Sequence, residues 1–182
     1  MTSHGQHADS DLRALVQDGT LTGSWTLDPA RSEVLLESRH TWGLLPVHGV
    51  FRRVTGHGTV TAAGQVSGTL TVAAESIDTK SKMRDKDLRS AKLFDIANHP
   101  DITYTVDGMQ AIGAGVRVTG QLTVRGNTRP LPFDAKVAVA ADEVRLEAEI
   151  PVNRADFGLT YSPIRMASLN NTITVRAVFT RQ

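Results

Sequence analysis

The chain has 182 residues, with 20 Lys and Arg against 19 Asp and Glu, so its formal net charge is +1. That length is typical of one domain, and the charge balance argues against a nucleic-acid-binding protein, whose surface would carry a basic excess. The absence of cysteine excludes disulfides, thiol nucleophiles and cysteine metal sites, and we expect no cofactor.

The first 22 residues form an N-terminal extension (1–22) ahead of the main domain (23–182). Its polar start lacks the basic head and apolar run of a secretory signal. We therefore expect a cytoplasmic protein, or a periplasmic or secreted one if a signal has been removed. We also expect no membrane span, because the uncharged stretch Val54–Ala74 is interrupted by glycines and predicts two strands and a turn instead.

Within the extension, the segment Asp9–Gln17 predicts a short amphipathic helix. Leu12, Leu15 and Val16 fall on one helical stripe, and Gly19 follows as a stop signal. We expect this helix to pack on its own domain. Docking on a partner, or on a second copy of the chain to form a homodimer, is the alternative.

After Gly23 the apolar residues recur with a period of two, and their neighbours are mostly Thr, Ser or charged residues. The segments with this alternation are 34–40, 47–51, 66–74, 102–106, 116–124, 131–139, 144–152 and 173–179. One apolar and one polar face favour antiparallel strands with one solvated side. Because full closure removes exposed sheet edges, we expect an all-β, eight-stranded antiparallel barrel.

A charged, helix-prone stretch interrupts the strands near residues 80–98, and Pro100 ends it. Thr79 or Ser81 is suited to cap a helix there. We expect this helical insert to form one or two short helices across an end or a flank of the barrel.

Small residues are frequent on the predicted inward face. They are Gly49, Gly68, Gly120, Ala135, Ala148 and Ala177. Strand bending would explain individual glycines, but small residues on several strands favour a cavity. An apolar cavity suits an apolar guest, since burying one methylene is worth roughly 0.8 kcal/mol.

Candidate catalytic residues are few, and we find no nucleophile elbow, zinc-protease helix or phosphate-binding loop. His40 lies on an inward face, where we expect a core histidine or a polar contact to a ligand headgroup. We interpret Arg84 with Asp85, and Arg154 with Asp156, as structural ion pairs. No metal site is expected.

Five pieces of the sequence, taken in order, match one family pattern. They are Trp25–Ser32; Ser38–His40 with Gly49–Phe51; Ser76–Thr79 followed by Arg84–Asp85, Leu88–Ser90, Phe94–Asp95 and Pro100; Gly120–Pro130; and Asn153–Leu159. In these pieces the chain resembles the YceI-like, or polyisoprenoid-binding lipocalin-like, family of bacterial proteins.

The resemblance implies a lipocalin-like barrel whose elongated apolar tunnel binds a long isoprenoid or another amphiphilic lipid, in a family without a catalytic constellation. Four features depart from the family pattern. Asp87 stands where the family often has His, Leu93 stands where it often has a second Phe, and Tyr161–Asn171 is unlike its usual closing segment. The extension 1–22 stands where many relatives carry a signal peptide.

We therefore expect the protein to bind, and to carry or store, such a lipid. The expected ligand-binding residues, with His40 and Arg154 toward the polar end of the lipid, are Leu36, His40, Phe51, Leu70, Val72, Tyr104, Leu122, Phe133, Ile150, Arg154 and Phe157. Two alternatives stay open. One is an enzyme acting on a hydrophobic substrate in the cavity, with His40 and a nearby carboxylate as the acid–base group; the other is a stress-associated, partner-binding barrel with a filled interior.

Overall fold

The computed structural model describes residues 12–40, 44–113, 115–162 and 166–182, except for the side chain of His40. Two α-helices lie in these ranges, α1 over residues 12–17 and α2 over Lys82–Arg89, with short 3-10 helices at Ala74–Ser76 and Arg154–Phe157. The strands are β1 Gly23–Leu27, β2 Glu33–His40, β3 Leu45–Phe51, β4 Val54–Val60, β5 Val66–Ala73, β6 Ile77–Asp78, β7 Asp101–Ile112, β8 Gly115–Val124, β9 Asn127–Pro130, β10 Phe133–Ala140, β11 Glu143–Asn153 and β12 Asn170–Arg181.

Eight strands close into an antiparallel barrel in the order β1-β4-β5-β7-β8-β10-β11-β12, and β12 returns to β1. Leu27 of β1 lies opposite Phe179 near the end of β12, whereas Leu36 of β2 lies opposite Ile173 near its start. Strands β2 and β3 thus extend the wall beyond β1 and β4. The expected all-β, eight-stranded antiparallel barrel with two helical elements is confirmed.

The observed barrel wall differs from the wall that the sequence alternation predicted in two ways: it has extra short strands, and one strand contains a bulge. Strands β6 and β9 have only two and four residues, which is too short to show a period. In β7 a bulge between Val106 and Gly108 shifts the pairing register. The inward face therefore continues through Met109 and Ala111, where strict alternation from Val106 would have placed Gly108 and Gln110.

Helix α2 is fixed to the wall by a buried hydrogen-bond network. The Ser81 hydroxyl accepts from the backbone N–H of Arg84, as one of the two expected caps. Asp85 is only 8% exposed, and one of its carboxylate oxygens accepts from both the backbone N–H and the hydroxyl of Thr79, at 3.0 and 2.6 Å. Arg89 donates to the backbone carbonyl of Ile77 at 2.7 Å.

The sequence predicted an ion pair between Arg84 and Asp85, but in the structure both side chains bond to Thr79 instead of to each other. Arg84 donates to the hydroxyl and the carbonyl of Thr79, at 2.8 and 2.9 Å. Both charged side chains therefore meet at Thr79, because the turn ahead of the helix offers backbone groups that need partners.

Helix α1 lies against the barrel where β4 turns into β5. The Cγ1 methyl of Val16 covers Gly64, since a Cβ built on that glycine would come within 2.8 Å of it. Gly19 ends the helix with a φ of 78°, as the stop signal predicted. The first residues of the expected helix, 9–11, lie outside the described residues. Within the described ranges, no helix is long and apolar enough to cross a membrane.

Candidate ligand-binding cavity

The interior of the barrel is hollow and contains two chambers. The chamber beneath α1, here the α1 chamber, has a volume of about 490 Å³. The chamber beside α2, here the α2 chamber, has a volume of about 390 Å³. Both volumes lie in the range of small-molecule pockets, so the filled interior of the partner-binding alternative is not observed.

The α1 chamber is lined mainly by aliphatic side chains from the inward faces of β5, β7, β8, β10, β11 and β12. Ala135, Ala148 and Ala177 are among them, as expected for small residues that leave space. Leu12 and Val16 of α1 form part of the same lining. The helix is therefore a wall of this chamber.

The α2 chamber opens at the other end of the barrel. Phe51 and Phe94 lie at its side with ring centroids 6.1 Å apart. Polar and charged side chains concentrate near α2 and the segment after β11, and they are Ser38, Thr79, Ser81, Arg84, Asp87, Arg154 and Asn171. The exposed Met83 and Tyr161 also line it, so this chamber reaches the protein surface.

The two chambers adjoin, and the four residues that line both are here called the waist: Leu70, Tyr104, Phe133 and Val175. The Tyr104 and Phe133 rings lie 5.3 Å apart at an angle of 55°. The Tyr104 hydroxyl donates to the carbonyl of Leu131 at 2.9 Å. Burial raises the pKa of the Tyr104 phenol to about 12, so the waist stays uncharged at neutral pH.

Gly49 and Gly68 line the chambers, as expected for small inward residues, but the inward glycines also allow close packing. A Cβ built on Gly120 would lie 2.8 Å from the Tyr104 ring, and one on Gly49 would lie 2.9 Å from the Ile77 side chain. At Gly68 the obstacle is the carbonyl oxygen of His57, at 2.5 Å. Neighbouring atoms therefore occupy the position that a Cβ would take at these three glycines.

Most of the residues expected to bind a ligand line the α2 chamber. They are Leu36, Phe51, Leu70, Val72, Tyr104, Leu122, Phe133, Ile150, Arg154 and Phe157. The side chain of His40 lies outside the described residues. Sequence reasoning missed most of the α1 chamber, including Trp25 and Met109, although the same alternation had placed Val116, Val118 and Val137 on the inward face.

Arg154 has a different set of partners from the Asp156 pairing that the sequence suggested. Its Nε donates to the carbonyl of Ser168 at 2.9 Å, and its terminal nitrogens donate to the carbonyls of Leu159, Tyr161 and Ala167. Burial lowers the pKa of the guanidinium. This use of its donors favours a role in holding the segment after β11 over a headgroup contact.

Apart from the Tyr104 phenol at the waist, few ionisable groups line the cavity. Arg13 and His57 line the α1 chamber, and Arg84, Asp87 and Arg154 line the α2 chamber. In the parts of the chain that the structure describes, no three His, Asp or Glu side chains are grouped so as to hold a metal ion. The middle of the cavity is therefore suited to an uncharged, apolar ligand.

Sequence comparisons place this geometry among known proteins. A family model for the YceI-like domain matches residues 25–180. Protein YceI of Salmonella arizonae is 33% identical over 97 residues, which cover 50% of this chain and 51% of that protein. The chain thus spans about half the length of the curated relatives it matches.

Solved structures share the fold. BcnA of Burkholderia cenocepacia superposes with a TM-score of 0.75 at 22% identity, covering 84% of this chain and 98% of that one. A domain from Saccharophagus degradans, described as polyisoprenoid binding, gives a TM-score of 0.70 at 16% identity and covers 87% of this chain and 98% of its own. At these identities the likeness concerns the barrel architecture.

Proposed function

The chain belongs to the YceI-like domain family, and from that premise we propose that its barrel binds one long isoprenoid or a related amphiphilic lipid. The similar domain of S. degradans is described as polyisoprenoid binding, which supports this ligand class. The proposal concerns binding first; carriage or storage of the lipid is its physiological extension.

The observation that carries the proposal is the arrangement of two apolar chambers that meet at one waist. A compact ligand would fill one chamber and leave the other vacant. An extended hydrocarbon chain passing Leu70 and Tyr104 would occupy both. Because each buried methylene contributes roughly 0.8 kcal/mol, a chain long enough to fill both chambers offsets its immobilisation by a wide margin.

Native mass spectrometry of protein purified without detergent tests this proposal. We expect a complex whose extra mass, after extraction, is that of a lipid. Apo protein should also bind a labelled polyprenyl lipid. If extraction yields no lipid and labelled polyprenyl lipids do not bind, the binding proposal fails.

The waist provides a matched pair of variants for the same binding assay. Leu70→Trp puts a large ring at the junction of the chambers and should lower polyprenyl affinity about tenfold or more. Thr71→Trp places the same ring on the neighbouring position of β5, which does not line either chamber. Equal affinity in the two variants would remove the waist from the binding path.

Carriage and storage differ in the rate at which the lipid leaves. A carrier should transfer labelled lipid between donor and acceptor vesicles in proportion to protein concentration, whereas a storage protein should retain it. We propose that binding takes place without catalysis. Mass analysis of the extracted lipid after long incubation would expose an enzyme by the appearance of a product.

A further inference from the structure

The described residues include five large apolar side chains that are exposed to solvent, and all five lie at the α2 end of the barrel. They are Leu44 (76% exposed), Leu45 (58%), Met83 (79%), Tyr161 (38%) and Leu169 (41%). Single exposed apolar residues are ordinary on protein surfaces, but a cluster indicates an interaction site.

The hydrogen bonds bring these residues around one opening. Leu45 lies opposite His40 in the β2–β3 pair, and the backbone N–H of Ser168 donates to the carbonyl of Arg39 at 2.8 Å. That bond places the segment carrying Tyr161 and Leu169 beside the hairpin. Met83 and Tyr161 both line the α2 chamber, so the apolar residues form a rim around its mouth.

Basic residues lie beside the apolar residues of this rim. Lys82 and Lys86 are exposed on α2, one on each side of Met83 in the sequence, and their spacing of four residues puts them on one helix face. Lys92 follows the helix, and its ammonium lies 4.7 Å from the centre of the Tyr161 ring. Asp85 on the same helix is buried by Thr79, which leaves Asp87 as the exposed carboxylate of α2.

We propose that this rim docks the protein on a lipid bilayer that contains anionic phospholipids. Apolar tips flanked by lysines are the composition of proteins that lie at a membrane interface, where the apolar groups enter the headgroup region and the ammonium groups meet phosphates. A second copy of the chain would bring like charges together across a two-fold axis, so the lysines favour the membrane over self-association.

Docking through the rim would also affect how the ligand enters the cavity. The mouth of the α2 chamber faces the bilayer in this pose, so a lipid chain passes between membrane and cavity without crossing water. This consequence rests on the proposed function. The docking itself rests only on the exposed rim and its charges.

Co-sedimentation with vesicles tests the docking. We expect the protein to pellet with phosphatidylglycerol/phosphatidylcholine vesicles and much less with pure phosphatidylcholine, and the binding should weaken as salt rises. The double variant Lys82→Glu/Lys86→Glu should bind at least about tenfold more weakly. Met83→Ser should also weaken binding, because it removes the most exposed apolar side chain of the rim.

The double variant Lys136→Glu/Arg145→Glu is the matched control. It changes the net charge equally, but its residues are exposed on β10 and β11, beside residues that line the α1 chamber at the other end of the barrel. Circular dichroism checks that all variants fold. Equal loss in both double variants would indicate general charge attraction and overturn the proposal, as would failure of the wild type to bind anionic vesicles.

Sedimentation velocity without vesicles tests the alternative that a second copy of the chain binds the rim. A dimer that Met83→Ser dissociates would assign the rim to a second copy of the chain and overturn membrane docking. Because the vesicles contain no polyisoprenoid, vesicle binding and polyprenyl binding fail or succeed independently. The docking and the proposed function are therefore distinguished by which of the two assays is lost.

Discussion

The two ends of the barrel carry helices that are attached to it in very different ways. At the α2 end, Asp85 accepts from the backbone N–H and the hydroxyl of Thr79, and Arg154 donates to backbone carbonyls, at distances of 2.6 to 3.0 Å. At the α1 end, the described helix rests on the barrel through Leu12, Val16 and a 3.4 Å bond from Arg13 to the carbonyl of Ala111. Local opening takes place where few buried contacts must break, so we infer that the α2 end is a fixed frame and the α1 end a loose cover.

Arg154 should give the largest loss of stability, because its removal leaves several carbonyls of the closing segment without a donor. We expect Arg154→Met to lower the free energy of unfolding by about 3 kcal/mol. Arg154→Lys should recover only part of this loss, since an ammonium lacks the planar fork of donors.

Asp156→Ala is the control for Arg154, because Asp156 is exposed and was the partner that the sequence suggested. Urea unfolding should show little change in this variant. If Asp156→Ala were as unstable as Arg154→Met, the Arg154–Asp156 ion pair would be the important contact, and the bonds from Arg154 to the carbonyls would contribute little.

Asp85 should give the next largest effect at the same end of the barrel. Asp85→Ala removes the acceptor for the N–H and the hydroxyl of Thr79, which should cost about 2 kcal/mol. Asp87→Ala, two residues further along α2 and exposed, should be nearly neutral. Thermal unfolding of both variants checks the difference; similar melting temperatures would mean that the network does not fix α2.

Tyr104 at the boundary between the two ends should have a smaller effect, with a distinctive pH dependence. Tyr104→Phe loses one hydrogen bond, to Leu131, and should cost about 1 kcal/mol at neutral pH. The folded-state pKa is raised from 10.0 to about 12. The unfolded state therefore releases its proton first, and this part of the stability is lost as pH rises from 10 to 12.

Urea unfolding across that range checks the assignment of the raised pKa to the waist. Wild-type stability should fall more steeply than that of Tyr104→Phe, so the difference between the two proteins shrinks with rising pH. Parallel curves would mean that the phenol is not buried at the waist.

The smallest effect on stability is expected at the α1 end. Val16→Ser should change the free energy of unfolding by less than about 1 kcal/mol, while it speeds exchange of a bound lipid because the cover over the α1 chamber loosens. Ala14→Ser, exposed on the same helix, should leave exchange unchanged. A destabilisation by Val16→Ser as large as that by Asp85→Ala would contradict the contrast between the ends.

The sequence predicted the wall of the barrel well because each inward face repeats every two residues. Strand β8 is an example, since Val116, Val118, Leu122 and Val124 are buried as the alternation required. The prediction stopped at the bulge beside Gly108, because a register shift depends on the partner strand. Met109 was missed for that reason.

The contents of the cavity were less predictable, because they depend on contacts between distant strands. Gly120 was expected to leave empty space on the inward face, but the Tyr104 ring of the neighbouring strand packs over it. The division into two chambers depends on Tyr104 meeting Phe133 across β8, which no local pattern signals. The acceptors of Arg154 are backbone carbonyls, and these carry no signature in the sequence.

A crystal structure of the protein loaded with a polyprenyl lipid tests the central claim most directly, that one chain occupies both chambers. We predict continuous electron density from Val16 beneath α1, past Tyr104, to Phe94 beside α2. Density confined to one chamber, or two chambers filled only by ordered water, would contradict the claim.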